Sequence, residues 1–162
     1  MKITDKMKPT KSILILTDFS RSAKNASEYG THLAKQLNAN ILLFNSFLIP
    51  DLGFDSWPSA HHESLLQQSK KSLEEEVARL HGISQHDNEE FETKIDYLSS
   101  EGAIAENVSA IIKDKQNIFM VVMGGCKAND NDDILFGVEI TEILSKVKCP
   151  TVIVPESECF QF

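Results

Sequence analysis

Two rhythms of apolar residues alternate along the chain. Ser12 to Thr17 (SILILT) is a compact apolar run between Lys11 and Asp18, which predicts a strand buried on both faces. From Ala23 the small and apolar residues recur at Ala26, Gly30, Leu33, Ala34 and Leu37. That is one face of a helix, with Ser20 placed to cap it. Asn40 to Phe47 (NILLFNSF) repeats the buried-strand pattern, and Pro50, Gly53 and Pro58 mark a loop after it. Ser64 to Leu80 sets Leu65, Leu66, Ser69, Leu73, Val77 and Leu80 on one side, with Lys70, Lys71, Glu74, Glu75 and Arg79 elsewhere. This predicts an amphipathic helix, with Gly82 expected at the C′ position that ends it.

A polar loop follows from Ser84 to Glu90, after which Phe91 to Leu98 alternates like a strand with one wetter face, suited to a sheet edge. Ala103 to Lys115 carries Ile104, Val108, Ile111 and Ile112 at helical spacing. Ile118 to Met123 (IFMVVM) predicts a fully buried strand, broken by Gly124 and Gly125. A polar loop to Phe136, a short helix with Ile140, Ile143, Leu144 and Val147, and a last strand from Thr151 to Val154 after Pro150 complete a βαβαβαβαβ order. Strands alternating with helices of this length predict an α/β fold, a mostly parallel sheet with helices on both faces. Such folds bind ligands beyond the carboxyl ends of the strands, where the strand order reverses. The loops after Thr17, Phe47, Leu98 and Met123 are therefore the places to search.

A length of 162 residues fits one domain, and 41% hydrophobic with 25% charged residues is ordinary globular composition. The longest apolar run, Ile118 to Met123, is far short of the roughly 18 to 20 residues that span a bilayer. Met1 to Ser12 carries lysines but no apolar signal core, so a cytoplasmic protein without membrane association is expected. Lys plus Arg is 16 against 24 Asp plus Glu, a net charge of −8, which disfavours nucleic acid as a partner.

Cys126, Cys149 and Cys159 form no CxxC pair and leave an odd number, against a disulfide framework or a zinc site. Cys126 follows the fourth strand and Cys149 precedes the fifth, which in a parallel sheet puts them at opposite ends, roughly 15 to 20 Å apart. The run Asn129 to Asp133 lacks the glycine and distal glutamate of a calcium loop and reads as a solvated acidic loop. The adjacent His61 and His62 project differently and read as surface residues. No metal site and no catalytic residue is assigned.

Ile13-Leu-Ile-Leu-Thr-Asp-Phe-Ser20, the helix ending Leu33-Ala-Lys-Gln-Leu-Asn-Ala39, and Val121-Val-Met-Gly124 followed by Cys149-Pro-Thr-Val-Ile-Val-Pro155 occur in one order and spacing. Together they resemble the universal stress protein family over nearly the whole chain. The resemblance implies a three-layer, Rossmann-like fold of the adenine nucleotide alpha hydrolase-like type, with five parallel strands in the order 3-2-1-4-5. It implies a single domain with its core at about residues 10 to 156 and a tail at 157–162. It also implies a homodimer through the last strand, Thr151 to Pro155, whose apolar edge would otherwise be uncovered.

Some members of that family bind ATP or AMP and others do not. In the binders a loop Gly-x-x-Gly-x9-Gly-Ser/Thr wraps the phosphates, where glycines admit the backbone and free N–H groups meet the anion. Here the matching positions are Gly124, Lys127, Gly137 and Val138. The second glycine is replaced by a lysine and the hydroxyl residue by a valine. Asp130, Asp132, Asp133 and Glu139 add carboxylates around the expected phosphate position. One like-charge contact near about 6 Å at an effective dielectric of about 20 costs about 3 kcal/mol, more than the single Lys127 is expected to offset.

On the adenosine side the resemblance carries over Asp18 as the adenine-contacting acid, Ser46 as a residue flanking the base and Met123 as the residue before the loop. Leu16 stands where a proline is usual. Asp18 equally fits a turn residue that helps Ser20 begin the helix, and the glycines equally fit structural needs. The expectation is a dimeric regulatory or binding module of the stress response, with weak or lost ATP binding, no required cofactor and an unknown protein partner. It is not expected to be an enzyme. The alternative is an ATP- or AMP-binding member, with magnesium and slow or no hydrolysis. A phospho-accepting receiver domain of similar topology needs a cluster of acids, of which only Asp18 is in place.

Overall fold

A computed structural model describes residues 11–49, 58–84, 92–125 and 133–156, apart from the side chains of 58–61 and 133–139. The elements are β1 (Ser12–Leu16), α1 (Arg21–Gln36), β2 (Asn40–Phe47), α2 (Pro58–Ser84), β3 (Ile95–Glu101), α3 (Ile104–Asp114), β4 (Ile118–Gly125), α4 (Asp133–Lys146) and β5 (Thr151–Pro155). All four strand pairings are parallel, in the order β3-β2-β1-β4-β5. β3 is an edge strand, as its alternating pattern predicts.

Because successive side chains of a strand point to opposite faces, the central strands feed two separate cores. Ile13, Ile15, Ile41, Leu43 and Val122 pack on one face with Ala26 and Ala34 of α1 and Leu73 and Leu80 of α2. Leu14, Leu16, Leu42, Phe44, Val121 and Met123 pack on the other with Val108 and Ile111 of α3, Ile143 of α4 and Val147 just after that helix. This is why β1 reads as an unbroken apolar run. Each fully buried Leu or Ile contributes about 1.5 to 3 kcal/mol, so the two layers of helix are held by burial on both faces.

α1 is delimited by local chemistry. The Ser20 hydroxyl accepts the Ala23 N–H at 3.2 Å at its start. At its end Asn38 takes φ 51°, a left-handed turn that lets Ala39 N–H reach Ala34 O at 2.8 Å. α3 has no side-chain cap, but Glu106 sits in its first turn, where the helix dipole favours an acid.

Five boundaries differ from the sequence expectation. α2 begins at Pro58 rather than near Ser64, since proline is well suited to a first helical position. It runs through Gly82 to Ser84, so that glycine does not end it. β3 lies at Ile95–Glu101, shifted toward the carboxyl side of the alternating stretch, because it pairs with β2 as far as Phe47↔Glu101. Gly124 and Gly125 do not break β4 but are its last two residues, paired with Val154 and Pro155 of β5. α4 starts at Asp133, before the expected loop end at Phe136, where an acidic residue suits a helix start.

Candidate functional site at the carboxyl end of the sheet

The strand order reverses between β1 and β4, so the crevice of this fold lies beyond the carboxyl ends of these two strands. β1 stops at Leu16, and Thr17 makes the last ladder bond, from its N–H to Phe44 O at 2.9 Å. The chain then turns sharply. Phe19 adopts φ 65° and donates its N–H to Thr17 Oγ1 at 3.0 Å. Ser20 donates its N–H to Asp18 Oδ1 at 2.9 Å. Asp18 is exposed at the mouth of the crevice, with one carboxylate oxygen bracing the start of α1 and Oδ2 carrying no hydrogen bond among the described residues.

Ser46 stands at the end of β2. Its hydroxyl donates to Gly102 O at 2.5 Å and accepts from Asn107 Nδ2 at 3.0 Å. Asn107 Nδ2 also donates to Glu101 O at 3.1 Å. Gly102 holds φ 119°, a conformation that glycine alone adopts without strain, and its N–H reaches Phe47 O at 2.9 Å. The hydroxyl of Ser46 is thus committed to fastening the β3–α3 turn onto β2.

The backbone of Ser46 behaves differently. Along β2 the peptide groups alternate sides: Phe44 O faces β1 and Phe47 O faces the β3–α3 turn. Ser46 therefore directs its N–H and C=O toward β1, which has already ended. A continued ladder would pair them with Thr17 O and Phe19 N–H. Thr17 O instead accepts Asn45 Nδ2 at 2.8 Å, and Phe19 N–H goes to Thr17 Oγ1. Among the described residues this donor and acceptor have no partner.

On the β4 side the sheet end is crowded. A Cβ on Gly124 would lie 2.5 Å from Ser22 Oγ and 2.9 Å from the backbone C and O of Ser22. Only a glycine lets the first turn of α1 pack so closely on the strand. Ser22 Oγ donates to Gly125 O at 3.0 Å, and Asn25 Nδ2 to Pro155 O at 3.0 Å, tying α1 to the ends of β4 and β5. Met123 is 3% exposed, its side chain in the core with α3 and α4.

Asp18, Ser46 and Gly124 thus share one end of the sheet, whereas the Met123 side chain points into packing. Gly137 and Val138 are the fifth and sixth residues of α4. An amide at the fifth position of a helix donates to the carbonyl four residues earlier, so Gly137 N–H is not among the free amides of the helix start. Lys127, Cys126, Cys159, Asp130 and Asp132 lie outside the described residues. Among the described residues no group of three or more His, Cys, Asp or Glu side chains could hold a metal ion. His62 Nε2 stands 3.4 Å from Glu101 Oε2. Burial pushes the Cys149 thiol above its ordinary pKa, which disfavours the thiolate form.

Sequence reasoning missed the polar cluster beneath the crevice. Asn45 Oδ1 accepts from Ser69 Oγ at 2.7 Å, and Ser69 Oγ and Ser99 Oγ are 2.6 Å apart. Asn45 and Ser69 are buried. The signal was a polar residue inside each of two apolar patterns, Asn45 in NILLFNSF and Ser69 on the leucine stripe of α2.

A family model described as the universal stress protein family matches residues 9–155. Among solved structures, universal stress protein UspA from Lactobacillus plantarum aligns with a TM-score of 0.70 at 15% identity, covering 90% of this chain and 98% of that one. A universal stress protein in complex with cAMP aligns with a TM-score of 0.64 at 16% identity, covering 91% and 98%. The universal stress protein from Archaeoglobus fulgidus in complex with dAMP aligns with a TM-score of 0.62 at 13% identity, covering 89% and 97%. Likeness at these identities shows the fold. Among curated proteins nothing matches.

Proposed function

The chain belongs to the universal stress protein family, and on that premise we propose that it is a dimeric regulatory or binding module of the stress response with weak or lost ATP binding. The observation that carries this reading is the placement of Gly137 a full turn inside α4, where its amide is spent on the helix and leaves nothing for a phosphate. The sequence adds to it. Lys127 and Val138 replace a glycine and a hydroxyl residue of the phosphate loop, and α4 opens on an aspartate with Glu139 following.

The adenosine side keeps its chemistry. Ser46 N–H and C=O form a donor and acceptor side by side, complementary to the N1 and 6-amino edge of an adenine. Asp18 Oδ2 is an exposed acceptor at the same mouth. The crevice thus suits a nucleoside better than a nucleoside triphosphate. Relatives with this fold are solved with cAMP and with dAMP, which favours the second reading, an ATP- or AMP-binding member with slow or no hydrolysis.

The dimer would form through β5. It is an edge strand, Ile153 on it is 41% exposed, and Leu144 on α4 is 49% exposed. An apolar edge with unpaired backbone groups is covered most simply by a second copy. Native mass spectrometry of the purified protein tests both halves. The reading expects twice the chain mass with no nucleoside triphosphate retained. A monomer would overturn the dimer, and stoichiometric ATP would overturn the lost phosphate grip.

A further inference from the structure

Asn45 faces the α2 side of the sheet, where its amide bridges three elements: Nδ2 to Thr17 O at the end of β1, and Oδ1 to Ser69 Oγ of α2. Ser69 Oγ in turn meets Ser99 Oγ of β3. A buried amide costs free energy unless its donors and acceptors are engaged. An apolar residue would fill the same space, as Leu43 does two residues earlier on that face. What the asparagine adds is a donor aimed at the one carbonyl that would otherwise continue the β1–β2 ladder. Thr17 supplies the matching diversion by taking Phe19 N–H on its hydroxyl.

We infer that Asn45, held by Ser69 and Ser99, is a positioning residue that ends the β1–β2 ladder one pair early and so keeps Ser46 N–H and C=O open for the edge of a purine nucleoside. The inference rests on the function proposed above for the same crevice, but its mechanical part is independent of any ligand. Removing the Asn45 donor frees Thr17 O, and the nearest group in register to take it is Ser46 N–H. The donor half of the recognition edge is then taken into the ladder, while Phe19 N–H stays on Thr17 Oγ1.

The test is amide hydrogen exchange, followed residue by residue by NMR in the full chain, for the wild type, Asn45→Val and Ser69→Ala. The expected result is that Asn45→Val slows exchange at the Ser46 amide by at least about tenfold, the factor that one added backbone hydrogen bond is worth. Ser69→Ala should do the same to a smaller degree, and it serves alone if the valine variant fails to fold. A merely structural role moves the signal the other way, since a damaged core speeds exchange at many amides. A Ser46 rate that is unchanged or faster in the variants, or already as slow as that of Phe44 in the wild type, overturns the inference. Adenosine titration of the same samples separates the two claims. If the wild type ignores adenosine while the Ser46 amide slows in the variant, the nucleoside reading fails and the positioning role stands. If adenosine binds and Asn45→Val weakens it at least about tenfold, both stand.

Discussion

Replacing Gly124 by alanine probes the packing that shapes the crevice. The added methyl would meet Ser22 Oγ at 2.5 Å and Ser22 C and O at 2.9 Å. Two of these are backbone atoms, so a rotamer change cannot relieve the contact. Comfortable separation is about 3.5 Å, so the first turn of α1 must retreat by roughly 0.6 to 1 Å. Overpacking of that kind costs about 1 to 3 kcal/mol. Loss of the hydrogen bond from Ser22 Oγ to Gly125 O adds about 1 kcal/mol. Alanine returns about 0.5 to 1 kcal/mol through its lower backbone entropy. The net destabilisation is about 2 kcal/mol, which lowers the Tm of a chain of this size by about 4 to 8 °C. Gly82→Ala is the control, because a Cβ there meets nothing within 4 Å. It should stabilise α2 by about 0.5 kcal/mol. Thermal melting followed by circular dichroism at two wavelengths reads both. A Gly124→Ala protein melting at or above the wild type would refute the reasoning.

Two further perturbations follow from the ion pairs. Arg79 donates to Glu76 at 2.9 and 2.6 Å, to Glu28, and to Lys24 O at 3.3 Å, joining α2 to α1. Its hydrogen bond to Glu76 outweighs burial and raises its pKa. Arg79→Met strands Glu76, which is 4% exposed, and should cost about 2 to 3 kcal/mol in urea unfolding, less than a fully buried pair because the arginine is a third exposed. Replacing Glu76 by Leu as well should recover more than half of that loss; a double variant as unstable as Arg79→Met would contradict it. Lys146, hydrogen-bonded to Glu106, holds that carboxyl below its ordinary pKa of 4.5. A depressed acid stabilises the fold above the unfolded-state pKa and loses that contribution as pH falls through the folded value. The Tm difference between wild type and Glu106→Gln should therefore shrink between about pH 6 and about pH 3. A constant difference would show that the pair contributes nothing.

How far the sequence carries the account depends on the kind of interaction. The strands follow from patterning, because β1 and β2 bury both faces and must read as apolar runs, whereas their order in the sheet came from the family resemblance. The Ser20 cap was legible because one side chain meets an amide three residues on. Gly124 was misread as a breaker because its requirement comes from Ser22, which is distant in sequence and close in space. Ser46 was selected by resemblance for its place beside the base. Whether its hydroxyl or its backbone faces the crevice depends on Asn107 and Gly102, which only the fold brings to it, and on where the amide of its chain neighbour Asn45 is spent, at Thr17 O. Gly82 illustrates the converse: a glycine near a helix end is no stop signal when nothing turns the chain there.

The central claim is that the crevice keeps a nucleoside edge and lacks a phosphate grip. Isothermal titration of the same protein with adenosine and with magnesium ATP tests it most directly. The account predicts that ATP binds no more tightly than adenosine. Magnesium ATP binding at least about a hundredfold tighter than adenosine, the reverse of what a like-charge contact worth about 3 kcal/mol would impose, would contradict it.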